Sequence, residues 1–189
     1  MVGRIIASVG EIPVSADLEA GYGNAGETVR QAIAVGVVGA NLEDKMAPLD
    51  KSVAAVSAAV AAADEEGVPF ALNARTDAFL RAGDRPADEV LADAIERGRA
   101  YLDAGATCVF VPGRLADDVV ERLVAELGAQ RVSVIGVPGA QPSTRFEELG
   151  VARISYGPWT QRVALTALED AATALAAGGV IPETTRVLT

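Results

Sequence analysis

Six short apolar runs alternate along the chain with longer Ala-rich stretches, and every run stops in Gly, Pro or charged residues. The run at 12–16 stops at Asp17-Leu-Glu19, that at 37–42 at Glu43-Asp44, and that at 70–74 at Arg75-Thr-Asp77. The run at 108–111 stops at Pro112-Gly113, that at 132–135 at Gly136, and that at 154–156 at Gly157-Pro158. Apolar runs of this length bounded by turn residues are the pattern of strands buried on both faces. The pattern predicts strands near 12–16, 37–42, 69–74, 107–111, 131–135 and 152–156. Helices are predicted near 26–35, 51–66, 87–104, 116–127, 142–149 and 159–177, several of them stopped by glycines such as Gly36, Gly67 and Gly105. The first ten residues read as the end of a further helix. Residues 76–86, with Gly83, Asp84 and Pro86, read as a longer loop placed to cover a site. Residues 178–189 read as a loose tail.

Strand–helix units with short connections call for a parallel sheet with helices outside it, here one α/β domain over 1–189. Two architectures satisfy the pattern: an open doubly wound sheet, or about six of the eight units of a (βα)8 TIM-type barrel. In both, strand C-termini carry the chemistry. That is where this chain puts two carboxylates, two more, then an arginine.

Composition narrows the chemistry. The chain of 189 residues has 26 acidic against 16 basic residues, a net charge of −10, with no basic stretch. Such a surface repels nucleic acid and anionic membranes. There is no histidine, which excludes a His base, a His metal ligand and a Ser-His-Asp triad. The one cysteine, Cys108, lies in an apolar run and is expected to be a buried thiol rather than a nucleophile. One cysteine makes no intrachain disulfide, which fits a reducing cytoplasm. The N-terminus lacks the apolar core of a signal peptide, and no run approaches the roughly 20 residues of a membrane helix.

Gly21-Tyr-Gly23-Asn-Ala-Gly26 matches a dinucleotide-binding fingerprint, with Glu43 ending the next strand as the ribose acid. Against that, Asp17 and Glu19 stand between strand and glycines, where they would face a pyrophosphate. A metal site uses the same residues differently. In an extended strand Asp17 and Glu19 would project to one side, roughly 6.5–7 Å apart, with Glu43 one strand over at about 4.8 Å. A hard divalent cation, Mg²⁺ or Mn²⁺, would relieve their repulsion. The plain alternative is solvated or salt-bridged acids at loop starts. Arg75 suits bidentate capture of a carboxylate or phosphonate. Its plain alternative is an ion pair with Asp77 or with one of the acids.

Taken in order, Ser15-Ala-Asp17-Leu-Glu19-Ala-Gly21-Tyr-Gly23, Gly39-Ala-Asn-Leu-Glu43-Asp44-Lys45 and Asn73-Ala-Arg75-Thr-Asp77 resemble the isocitrate lyase/phosphoenolpyruvate mutase superfamily. Val109-Phe-Val-Pro112-Gly113 and Val151-Ala-Arg-Ile-Ser-Tyr-Gly157-Pro158 continue the likeness over nearly the whole chain. The resemblance implies a (βα)8 barrel, a Mg²⁺ site at the acidic strand ends, and small 2-oxo or 2-hydroxy carboxylate or phosphonate substrates. It implies making or breaking a C–C or C–P bond, in many members through a pyruvate enolate. It gives Asp17, Glu19 and Glu43 the metal roles, Arg75 and Glu43 the catalytic roles, and Arg75, Tyr22 and Gly23 contact with the substrate. A cytoplasmic homo-oligomer is expected.

The chain departs from the superfamily in two places. The Cys-Gly-His loop of the lyase branches is replaced by Lys45-Met-Ala-Pro-Leu49. The likeness also begins at what would be the third barrel strand. The expectation is therefore an N-terminally truncated barrel, either a weakly active enzyme or a non-catalytic partial barrel that oligomerises.

Overall fold

The computed structural model describes residues 1–187. Met1–Ser155 forms one compact unit and the chain from Tyr156 onward a second. In order, the elements are α1 (Val2–Val9), β1 (Ser15–Asp17), α2 (Ala25–Ala34), β2 (Gly39–Glu43), α3 (Leu49–Glu65), β3 (Ala71–Arg75) and α4 (Ala87–Asp103). β4 (Cys108–Phe110), α5 (Asp117–Leu127), β5 (Val132–Ile135), α6 (Ser143–Glu148), β6 (Arg153–Ser155) and α7 (Trp159–Ala176) follow. All six strands run parallel in the order β1-β2-β3-β4-β5-β6 and curl into a half-barrel. Strand order never reverses, so the sheet has no switch point of the kind at which doubly wound folds bind dinucleotides. This overturns the Rossmann alternative. The glycines of its fingerprint serve the turn and the packing instead. A Cβ on Gly21 would lie 2.8 Å from Ala25 Cα, and one on Gly26 3.0 Å from the Ala58 carbonyl of α3.

The core lies between the sheet and its helices. On β3, Leu72 and Ala74 face the helices and are buried, while Asn73 and Arg75 face the inside of the curl. Val29, Val109, Val120, Leu123, Val132 and Val134 fill the same layer. Each contributes about 1.5–3 kcal/mol by leaving water. Ala59, Ala62 and Ala63 give α3 a smooth face that packs close. A core this poor in aromatic residues depends on such small side chains.

The first strand begins later than the apolar pattern predicts, at Ser15 rather than 12. Ile12 is exposed and its N–H bonds back to the Val9 carbonyl, while Pro13 has no N–H to offer a ladder. The segment 76–86 is anchored at its base. Thr76 and Ala78 are fully buried, Asp77 nearly so, and the Thr76 N–H bonds to the Phe110 carbonyl at 3.0 Å. In the second unit, α7 has no buried residue, and Val163, Leu165 and Leu168 are exposed along it. The tail predicted at 178–189 has a turn at 183–184 and otherwise no regular structure up to 187, and its last two positions lie outside the described residues. No helix among the described residues is long and apolar enough to cross a membrane.

Candidate active site

Strand alternation sets two rows of side chains on the inner face of the curl. Register aligns Glu43, Arg75, Phe110, Ser133 and Arg153 across β2 to β6. One pleat below, it aligns Asp17, Asn41, Asn73 and Cys108 across β1 to β4. The lower row is hydrogen-bonded sideways. Asn73 Nδ2 donates to Asn41 Oδ1 at 2.7 Å, and the Cys108 thiol donates to Asn73 Oδ1 at 3.0 Å. Cys108 thus sits on the inner face rather than in the apolar core. Burial pushes its thiol pKa up, which keeps it protonated and agrees with an unreactive role.

The upper row carries the charges. Arg75 Nη1 lies 3.0 Å from Glu43 Oε2, and Arg75 Nε donates to Asp77 Oδ1 at 2.7 Å. Both ion pairs weighed for Arg75 are therefore formed, one with a proposed metal acid and one with Asp77. Lys45 Nζ stands 3.3 Å from Glu43 Oε1 and 3.5 Å from Glu19 Oε2. The hydrogen bond with Glu43 is the main cause that raises the Lys45 pKa. Lys45 and Met46 both have positive φ, 48° and 58°, in a turn whose Met46 N–H is held by Asp44 Oδ1 at 2.9 Å.

Asp17 and Glu19 do not share an extended strand. β1 ends at Asp17, whose Oδ1 accepts the Glu19 N–H at 2.9 Å, and Glu19 has φ 48°. The same-side spacing expected of them is lost in this turn. Among the described residues no three His, Cys, Asp or Glu side chains are grouped as a metal-holding cluster. Carboxylate oxygens are nonetheless the donors a hard cation takes, and the Lys45 ammonium already stands as a cation between Glu19 and Glu43. Tyr22 and Gly23 lie in the turn that follows, both with positive φ. Tyr22 is exposed, and the Glu19 carboxylate, with a smaller effect from Asp17, raises its hydroxyl pKa.

Behind the rim is a group that motif reading missed. Asp44, whose side chain is 2% exposed, accepts Tyr101 Oη–H at 2.7 Å and Arg97 Nη1–H at 3.2 Å. Its other oxygen accepts the N–H groups of Met46, at 2.9 Å, and Asp77, at 3.0 Å. Arg97 Nε also reaches Asp93 Oδ1 at 2.9 Å. One carboxylate thus ties α4 to the turn that presents Lys45 and to the residue that grips Arg75. Burial and the Asp44 contact push the Tyr101 pKa well up. The available signal was the i, i+4 series Asp93, Arg97, Tyr101 on a helix otherwise facing the core. A cavity of about 160 Å³ adjoins this group, lined by Ala20, Glu43, Lys51, Ser52, Arg75 and Tyr101 among others.

A parallel half-barrel with acids and an arginine at consecutive strand C-termini defines a protein of the βα-barrel class. The phosphoenolpyruvate phosphomutase family model matches residues 1–176, and the chain belongs to that family. It is 34% identical over 174 residues to an uncharacterized protein of Mycobacterium tuberculosis, matching 89% of this chain and 64% of the other. It is 31% identical over 177 residues to an oxaloacetate decarboxylase of Pseudomonas entomophila, matching 87% of this chain and 59% of the other. The solved structure of an oxaloacetate acetylhydrolase with its product oxalate superposes with a TM-score of 0.79 at 27% identity, covering 95% of this chain and 66% of that one. The chain thus spans less than two thirds of the length of these curated relatives.

Proposed function

We propose that this protein is a Mg²⁺- or Mn²⁺-dependent lyase, mutase or hydrolase acting on a small 2-oxo or 2-hydroxy carboxylate or phosphonate. The observation that carries this reading is the Glu43–Arg75 pair on the inner rim, flanked by Asp17 and Glu19, in a chain of this family. Asp17, Glu19 and Glu43 would hold the cation, with Lys45 released from its bridging place. Held there, a cation would supply positive charge to polarise the carbonyl of a 2-oxo acid.

Arg75 performs the second task. A guanidinium has five N–H donors, and Asp77 and Glu43 each engage one nitrogen of Arg75. The donors left over address the substrate carboxylate, while Asp77 fixes the plane of the fork. For a 2-oxo acid the bond broken joins C3 to its carboxyl or phosphoryl substituent, which leaves as CO2 or passes to a water or enolate oxygen. The electron pair enters the enolate, whose negative charge faces Arg75. For a 2-hydroxy acid the C2–C3 bond breaks as the hydroxyl loses its proton, leaving a 2-oxo acid and a stabilised carbanion that takes up a proton. With no histidine in the chain and the Cys108 thiol held protonated on Asn73, proton transfer at C3 falls to water, to substrate or to the Lys45 ammonium beside Glu43.

The test is calorimetric titration of the protein with Mn²⁺, alone and with oxalate as an enolate mimic. Binding should occur, be strengthened by oxalate, and be lost or strongly weakened in Asp17→Ala. Unchanged affinity in that variant removes the metal assignment. A second reading, a non-catalytic partial barrel that works as a homo-oligomer, is favoured by the apolar residues that α7 leaves exposed.

A further inference from the structure

The upper row holds two arginines in opposite states. Arg75 is neutralised, pairing with Glu43 at 3.0 Å and with Asp77 at 2.7 Å. Among the described residues Arg153 has no carboxylate partner. Its guanidinium carbon stands 6.0 Å from the centre of the Phe110 ring, and its Nη1 is buried without a hydrogen-bond partner. A buried guanidinium donor left unmatched costs about 1–3 kcal/mol or more, so such a group in a folded protein calls for a partner from outside the chain, water or an anion.

Its surroundings point to an anion. Register places Arg153 beside Ser133, Ser133 beside Phe110, and Phe110 beside Arg75. Arg153 is thus three strands from Arg75, about 14 Å along the sheet and less across the curl. The Phe110 face supports the guanidinium plane and offers no counter-charge. The positive charge of Arg153 also reaches the Cys108 thiol in the row below. No acid shares the β4–β6 half of the row, whereas the β1–β3 half is crowded with them.

We infer that Arg153 is a specificity-determining residue that receives a second carboxylate of the substrate, remote from the carboxylate that Arg75 addresses. One arginine matches one carboxylate in charge and fork geometry, whereas a phosphonate dianion asks for more than one cation. The preferred ligand is then a small dicarboxylic 2-oxo or 2-hydroxy acid. This rests on the proposal that the inner rim binds 2-oxo or 2-hydroxy acids.

Racemic malate and racemic lactate share the 2-hydroxy carboxylate head, and only malate has the second carboxylate. Calorimetry with each, at saturating Mn²⁺, reads the role of Arg153 directly. The wild-type protein should bind malate about tenfold tighter than lactate. In Arg153→Gln that ratio should fall to about two or less, with lactate affinity unchanged. Arg153→Lys, which keeps the charge, should restore part of the preference, and circular dichroism should show both variants folded. A wild-type ratio near one, or a ratio that survives Arg153→Gln, overturns the assignment of Arg153 alone. Failure of the wild-type protein to bind either acid overturns it together with the reading beneath it.

Discussion

Glu43 and Asp44 are adjacent carboxylates at the end of one strand, yet the fold uses them for opposite purposes. The Asp44 side chain is 2% exposed and holds Arg97, Tyr101 and two backbone N–H groups. The Glu43 side chain is 13% exposed and shares its oxygens between Arg75 and Lys45, of which Lys45 is 45% exposed. Strand alternation alone separates them, sending one behind the sheet and the other onto its inner face. Asp44 is bound by buried groups that the fold holds in place, two of them on α4. The partners of Glu43 are long side chains that can exchange it for a ligand. A carboxylate committed to the fold and one kept available for chemistry can therefore stand side by side.

The sharpest way to break this contrast is to remove each acid in turn. Asp44→Ala strands a buried guanidinium and a buried hydroxyl, and should cost about 3–5 kcal/mol. At this chain length that lowers the thermal midpoint by roughly 6–20 °C. Glu43→Ala leaves Arg75 on Asp77 and Lys45 on Glu19, and its cost should stay within about 1–2 kcal/mol. Equal losses in thermal unfolding would show that the two acids are not divided in this way.

Metal binding reverses the ranking. Glu43→Gln and Asp17→Ala should each weaken Mn²⁺ by about tenfold or more, because each removes a charged oxygen donor. Asp44→Asn, if folded, should leave the affinity within about twofold, since Asp44 faces away from the inner row. Calorimetry on the three variants decides it. A larger effect from Asp44→Asn than from Glu43→Gln would move the site behind the sheet.

Arg75→Lys keeps the charge and loses the planar fork. Oxalate affinity should fall about tenfold, with stability changed by only about 1 kcal/mol, because lysine keeps a cation between the largely buried carboxylates of Glu43 and Asp77. If the melting temperature collapses while residual oxalate binding is normal, Arg75 is a structural ion-pair partner.

The smallest effect is read in alkali. The pKa of Tyr101 is raised in the folded protein by burial and by Asp44, so the folded state keeps a proton that the unfolded chain releases near pH 10. Stability from this group is fully present below about pH 10 and is lost as pH rises beyond it. Urea unfolding at a series of alkaline pH values should show a falling stability, with a shallower slope in Tyr101→Phe. Parallel slopes would mean that Tyr101 ionises alike in both states.

Much of the fold was legible in the chain. Five of the six strands lie within about two residues of the apolar runs, because a strand buried on both faces has to be apolar throughout. The helices follow from Ala-rich stretches ended by glycine. β1 was misplaced because Ile12 and Pro13 look like strand residues, while Pro13 has no donor for the ladder. Of the site, Glu43 and Arg75 were legible as polar residues ending apolar runs. Asn41 and Asn73 were legible in principle, two positions back on the same face.

Local pattern therefore settled which segments become strands and helices and which charges stand at their ends, since backbone propensity and side-chain period act over a few residues. Whether the sheet reverses or curls in one direction depended on long-range pairing, and with it the dismissal of a nucleotide site. The partners of each charge also lay beyond local reach. Asp44 meets Arg97 and Tyr101 from more than fifty positions away, and Glu19 leaves the line of Asp17 because the chain turns there. Arg153 stands out for a reason no single segment contains. Three strands of packing separate it from the acids that neutralise Arg75, and its unmatched donor exists only once β6 has paired into the curled sheet.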